Sequence, residues 1–247
     1  MTSLLRQTGA TLRHRAKYWL GRRPRLYHWT YRLRDGFVDR LVTDATDLCI
    51  EGFPRSANSF AVGAVEHAQP EPLSIAHHNH VPAPLLNATR RGLPAVMLIR
   101  DPVDAVISNR GLQLQIAAQE GTEGPPHVPY ARQLRTWIAW YERVWPVRDR
   151  VVVAPFPVVT EDFGAVIDAV NATFRTDFAR FEHSDEQVEA IRSSYGYHAL
   201  PTEERDRLKA QARERFETEV GADHPLVQEA HAVYRRFMEA SSVPSGS

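Results

Sequence analysis

Two short stretches bring together residue types that hold anions. The first reads Leu48-Cys-Ile-Glu-Gly-Phe-Pro-Arg-Ser-Ala-Asn-Ser-Phe-Ala-Val62, an apolar segment that turns through Gly52 and Pro54 into a helix-forming segment. A strand that opens a helix across a tight loop aims several backbone N–H groups and a positive helix end at one point, which suits a phosphate. Arg55 adds a permanently charged planar fork, and Ser56, Asn58 and Ser59 add side-chain donors. Alone, the same segment also reads as a strand–helix turn with a Ser or Asn cap. Neither Gly-x-x-x-x-Gly-Lys-Ser/Thr nor Gly-x-Gly-x-x-Gly is present. The second stretch reads Ala95-Val-Met-Leu-Ile-Arg-Asp-Pro-Val-Asp-Ala-Val-Ile-Ser-Asn-Arg110. Arg100 follows an apolar strand, at the edge where open parallel sheets bind ligands. Ser108 lies about two helical turns further on, so Arg100 and Ser108 could hold one phosphate between them. The competing reading pairs Arg100 with Asp104 and leaves Ser108 in a packing contact.

Between these stretches lies His77-His78-Asn79-His80-Val81-Pro82. A histidine suits proton removal near neutral pH. A zinc site needs three or four ligands with supporting groups, and no partner motif accompanies these three, so no metal is expected.

The pattern around the motifs supplies the elements that must position them. Residues 47–52 and 73–76 predict short strands, Ala95–Ile99 and Val151–Ala154 buried ones. Helices are predicted over 2–20, 58–68, from Pro102 onward, over 130–147 and 161–173, and through most of the chain after 184, with breaks at Pro201 and Gly221–Pro225. Alternating strands and helices predict an α/β sandwich around a parallel sheet, with the helical C-terminal third packed on it as a cap. Trp137, Trp140 and Trp145 at helical spacing read as packing residues. Residues 116–130, rich in Gly and Pro, read as a lid or a disordered loop. The expected organisation is a basic arm over 1–46, an α/β domain over 47–240 and a disordered tail over 241–247.

The chain has 247 residues, with 30 Lys+Arg against 30 Asp+Glu, which argues against a nucleic-acid partner. Charge is uneven nonetheless. Residues 1–40 hold ten basic and two acidic side chains, so the remainder is net acidic. Trp19, Tyr27, Trp29 and Tyr31 are interleaved with those arginines, a composition that fits either an anionic membrane surface or an arm docked on the body. Cys49 is the only cysteine, and no apolar run reaches membrane-spanning length. A cytoplasmic protein is expected, with peripheral membrane contact through residues 1–40 as an added expectation.

Taken together and in this order, the two anion-binding stretches resemble those of the sulfotransferases that use 3′-phosphoadenosine-5′-phosphosulfate (PAPS). Phe53-Pro-Arg-Ser-Ala-Asn-Ser-Phe60 is similar to that family's 5′-phosphosulfate loop, Pro-Lys/Arg-Ser-Gly-Thr-Thr. Ile99-Arg-Asp-Pro-Val-Asp-Ala-Val-Ile-Ser108 is similar to its 3′-phosphate motif, in which a Ser follows eight residues after the Arg. The resemblance implies a three-layer α/β/α, P-loop-like sulfotransferase fold, PAPS as donor without a required metal, and a hydroxyl of a carbohydrate, lipid or small metabolite as acceptor. It implies donor contacts from Arg55, Ser56, Ala57, Asn58, Ser59, Arg100 and Ser108. His78-Asn79-His80-Val81-Pro82 resembles the segment that supplies the base in the cytosolic branch, which places His80 in that role. Glu66 is the second candidate, because other branches use a glutamate. The sequence departs from the family at Ala57 in place of Gly, Asn58-Ser59 in place of Thr-Thr, and Phe156-Pro157 in place of Tyr-Glu. The family's C-terminal Arg-Lys-Gly motif is not visible, and Arg192, Arg205 or Lys209 could supply its charge. Two other readings remain: a P-loop-type nucleotide kinase, and a non-catalytic relative that binds a partner through its basic arm.

Overall fold

The computed structural model describes residues 12, 15–34, 36–194, 203–241 and 243, with the side chains of Glu204 and Arg205 left aside. Its centre is a four-stranded, wholly parallel sheet: β1 (Leu48–Gly52), β2 (Ile75–His77), β3 (Ala95–Ile99) and β4 (Val152–Pro155), in the order β2-β1-β3-β4. Helix α1 covers residues 15–21 and α2 covers Pro24–Tyr31. Then follow α3 (Asn58–Ala68), α4 (Ala83–Arg91), α5 (Pro102–Gln119), α6 (Tyr130–Val144), α7 (Phe156–Glu161), α8 (Phe163–Phe174), α9 (Asp185–Ser194), α10 (Glu203–Glu219) and α11 (Pro225–Glu239).

The strand alternation sorts the helices into two layers. Leu48, Ile50, Val96, Leu98, Val152 and Ala154 point to one face, where they meet α3, α7, α8 and α9 through Val62, Val65, Phe163, Ile167 and Ile191. Cys49, Met97, Ile99 and Val153 point to the other, where Leu85, Val106, Trp137, Tyr141, Phe216 and Phe237 cover them. The predicted three-layer α/β/α arrangement is therefore present. Trp137 and Trp140 are buried in the core. The C-terminal helices divide instead of forming one cap on the sheet. α9 packs on α3, while α10 lies on α5 and α11 on α6.

Helix α4 was not foreseen. Prolines are harmless in a first helical turn, and Gly92 closes the helix in a left-handed conformation (φ 71°). The 116–130 segment is tied to the body. Its first residues extend α5, and His127 Nε2 lies 2.7 Å from Glu219 Oε2 of α10 while Arg110 donates to Pro125 O at 3.2 Å. In the expected tail, Ser241 Oγ donates to Val153 O at 2.9 Å and Val243 is buried; the other tail residues lie outside the described ones. The predicted helix over 2–20 falls mostly outside them too.

The order β2-β1-β3-β4 has a consequence for function. The chain leaves β1 for one neighbour and later returns to place β3 on the other side. β1 and β3 therefore flank the switch point at which the loops after their carboxyl ends separate, the usual crevice for a ligand. Gly52 lets the strands close there, since a Cβ on it would stand 2.6 Å from Leu98 O. No described helix is long and apolar enough to cross a membrane.

Candidate functional site

The two anion-binding stretches meet at this crevice. Arg55 Nε donates to Ser108 Oγ at 3.1 Å, joining the loop after β1 to the helix after β3. Arg100 Nη1 donates to Arg55 O at 3.0 Å, and its guanidinium lies 4.0 Å from the centre of the Phe156 ring. Asp104, the alternative partner for Arg100, instead accepts from Arg213 Nη2 at 2.7 Å. Asp101 caps α5 by accepting from Val103 N and Asp104 N.

A cavity of about 400 Å³ opens here, within the usual range for small-molecule sites. Arg55, Ala57, Asn58, Ser59, His78, His80, Arg100, Phe156 and Arg192 line it, together with neighbours from the same loops and helices. The lining carries three arginines and no carboxylate. Helix α3 points its N-terminus at the cavity, and no side chain caps it. Its first N–H groups, which no helix can satisfy internally, are left for a ligand. Asn58 is buried, and its Nδ2 donates to Phe53 O at 3.4 Å while its Oδ1 has no protein partner.

The loop reaches this shape through strained backbone. Arg55 (φ 71°), Ala57 (φ 68°), His78 (φ 57°) and His80 (φ 56°) all adopt left-handed conformations, and Arg175 is the only other non-glycine residue described that does so. Strain gathered around one cavity marks it as a site held by its surroundings. Ala57 thus adopts the geometry in which the resembled family has glycine. An alanine there costs about 1 kcal/mol in the folded state, part of which glycine would forfeit through its freer unfolded chain. Ala57→Gly is therefore expected to stabilise the protein by about 0.5 kcal/mol, seen as a slightly higher urea midpoint; a lower midpoint would show that the methyl contributes packing.

Not every predicted residue enters the cavity. Ser56 is fully buried beneath the loop, near the Tyr141 hydroxyl, because its N–H turns back to Phe53 O at 3.2 Å. Glu66 lies two turns down α3 from Ser59, exposed in a separate groove with Asp39, Ser74 and His77. That groove is separate from the Arg55–Arg100 cavity, which Glu66 does not line. Of the C-terminal cations, Arg192 lines the cavity, Lys209 packs against Gly111 of α5, and the Arg205 side chain lies outside the described residues.

The histidines take distinct places. His78 Nε2 is 3.0 Å from Ser59 Oγ, and His77 Nδ1 touches His78 Nδ1. His80 Nδ1 is 3.2 Å from Gly52 O. A carbonyl only accepts, so Nδ1 carries the His80 proton and Nε2 is the basic nitrogen. Burial pushes His78 down to about 3, with His77 and His80 adding to the effect. Burial pushes His80 down to about 4, with the Lys17 ammonium adding to it. Both rings are neutral at pH 7. Among the described residues, no group of His, Cys, Asp or Glu is arranged to hold a metal.

What fixes this turn is Glu51, which sequence reasoning passed over. Its carboxylate is fully buried on β1. Oε1 accepts from Asn79 N at 2.7 Å and Asn79 Nδ2 at 2.9 Å, and Oε2 accepts from His80 N at 2.9 Å. Tyr27 of α2 donates to Asn79 Oδ1 at 3.0 Å. Burial pushes Glu51 up to about 7, against the opposing pull of Asn79, His80 and Lys17. The one sequence signal was a charged residue inside an apolar strand. Phe156 was also missed as a contact of Arg100.

No protein-family model matches this chain, and no curated protein matches it. Among solved structures, it is similar to a mouse sulfotransferase, SULT7A1, complexed with PAP, at 10% sequence identity over 83% of this chain and 92% of that one, with a TM-score of 0.38. A likeness this distant assigns no residue a role, and the chemistry rests on the cavity itself.

Proposed function

We propose that this protein is a PAPS-dependent sulfotransferase acting on a hydroxyl acceptor. The observation that carries the reading is the direct junction of the two motifs: Arg55 on Ser108, and Arg100 on the Arg55 carbonyl, around one cationic cavity. The donor set fits a bis-phosphorylated nucleotide. Three guanidiniums, an uncapped helix start and the unpartnered Asn58 Oδ1 answer its phosphates and a donor group. PAPS supplies an activated sulfuryl group, so that R–OH and PAPS give R–OSO3⁻, adenosine 3′,5′-bisphosphate and a proton.

The residues divide the work. Arg55 and the first N–H groups of α3 stabilise negative charge on the departing 5′-phosphate oxygen. Arg100 and Ser108 recognise the 3′-phosphate, and the Phe156 ring, 4.0 Å from the Arg100 guanidinium, helps to hold it in place. His80 Nε2 takes the acceptor proton as the new bond to sulfur forms. Ser59, held by His78, orients the group in transit. A bound dianion raises the affinity of both histidines for a proton, which moves His80 toward the strength a general base needs. The α/β body at 47–240 houses this chemistry, with the first 46 residues as its attached arm.

Calorimetric titration with adenosine 3′,5′-bisphosphate, with AMP as the control and EDTA present, tests the reading. Tight binding that AMP does not reproduce is expected, and Arg100→Ala is expected to weaken it by about tenfold or more, as loss of a charge-assisted hydrogen bond requires. Equal affinity for AMP, or binding of ATP that depends on magnesium, would overturn the proposal in favour of a nucleotide kinase.

A further inference from the structure

The largest apolar side chains exposed by the described chain are Leu12, Trp19, Leu26, Trp29, Leu33 and Val38, and all lie in the arm. They do not represent a failed core. The inner side of the same segment is well packed, with Tyr27 1% exposed and Gly21 so close to Val81 that a Cβ would stand 2.5 Å from it. Exposure follows helix faces. Leu12, Arg15, Trp19, Arg22 and Arg23 recur at three- and four-residue steps on and beside α1, as Arg25, Leu26, Trp29, Arg32 and Leu33 do on and beside α2.

The charge on these faces is uncompensated. No carboxylate occurs from residue 12 to residue 34. Among the described residues, none of Arg15, Arg22, Arg23, Arg25, Arg32, Arg34 and Arg40 forms an ion pair, although the body is net acidic. Arg23 instead stacks on Trp19 at 3.8 Å and Arg34 on Phe37 at 4.8 Å. Between the arm and α6 lies a second cavity of about 250 Å³, lined by Arg15, Arg22, Arg132 and Arg135 with Trp19 and Trp140, and with no carboxylate. It shares no residue with the Arg55–Arg100 cavity.

We infer that the outer faces of α1 and α2 dock on an anionic lipid surface, with the four-arginine cavity receiving a phosphate headgroup. The apolar residues distinguish a lipid surface from a soluble polyanion. Leucines gain nothing beside a phosphate chain, whereas they and the tryptophans gain by entering the headgroup–acyl boundary. The arginines draw the arm to the surface, each worth about a fivefold gain in binding there.

Flotation of the full chain with phosphatidylcholine vesicles, with and without phosphatidylglycerol, tests this, and it is independent of the donor cavity. Capture by anionic vesicles alone is expected, lost at high salt. Leu26→Ser with Trp29→Ser and Leu33→Ser is expected to weaken capture at least tenfold, and Arg132→Gln with Arg135→Gln about 25-fold; an unchanged urea midpoint in each variant certifies the fold. Glycerol 3-phosphate at matched phosphate concentration is expected to leave the protein on the vesicles. Equal capture by neutral vesicles, displacement by glycerol 3-phosphate, or full capture of the triple serine variant would each overturn the inference. The last would assign the arm to a polyanion.

Discussion

Arg55→Ala is expected to slow sulfuryl transfer by about a hundred- to a thousand-fold, the usual loss when one preorganised donor to a developing oxyanion is removed. The guanidinium is held in advance, with Nε on Ser108 Oγ at 3.1 Å and its own carbonyl fixing Arg100 at 3.0 Å. No reorganisation is then needed as charge moves onto the departing oxygen. The carbonyl survives the substitution, so Arg100 keeps its anchor, and nucleotide affinity should fall far less than the rate. Single-turnover transfer from labelled PAPS, measured beside nucleotide affinity, separates the two effects. A rate within threefold of wild type would remove Arg55 from the chemistry. Arg55→Lys keeps the charge but not the fork that spans Ser108 and a ligand, and an intermediate rate is expected.

The second large effect is on stability. Glu51→Ala is expected to destabilise the protein by about 3–5 kcal/mol. The backbone N–H groups of Asn79 and His80 both lose their acceptor in a dry site, and a cavity is left behind. Urea unfolding measures this directly, and a loss below about 1 kcal/mol would mean that the turn is held by its other contacts. The pH dependence provides a second reading. Burial raises Glu51 from 4.5 to about 7, so its contribution is fully present below pH 4.5 and is lost as pH rises through about 7. His78 and His80 are depressed from 6.5 to about 3 and about 4, so their contribution is present above pH 6.5 and is lost as pH falls through those values. The two trends oppose each other between pH 4.5 and 6.5. Removing the carboxylate with Glu51→Gln should therefore steepen the acid-side decline in stability. A curve parallel to wild type would show that Glu51 titrates normally.

Legibility in the sequence followed the range of the interaction involved. Ala95–Ile99 and Asn58–Ala68 were readable to the residue because five apolar residues in a row, or an apolar face after a Ser/Asn turn, are local signals. β2 was displaced to Ile75–His77 from the expected 73–76, since its register is fixed by pairing Leu48 with Ile75 and not by its own residues. α6 stops at Val144, short of 147, because Pro146 cannot continue the α-helical bonding and a 3-10 turn follows. The two motifs were legible from residue type and spacing, but their direct junction, Arg55 on Ser108 across 53 residues, was not foreseen. Nor was the role of Glu51. Its partners are 28 and 29 residues away, and nothing near it in the chain shows whether a strand glutamate faces water or the core. The stacking of Phe156 on Arg100 was hidden for the same reason. Exclusion of Glu66 from the cavity depended on where α3 points, which its helical period alone does not give.

The Tyr27–Asn79 hydrogen bond changes how deletions of this protein are to be interpreted. A truncation that begins at the first strand looks like the removal of a leader. It would also take away the hydroxyl that holds Asn79, the ammonium facing Glu51 and the glycine against Val81. Loss of activity in such a shortened chain would report a collapsed histidine turn before it reported anything about cellular address. Point substitutions confined to the outer faces of the first two helices are the operation that separates those causes, and an N-terminal fusion should leave a spacer ahead of residue 12.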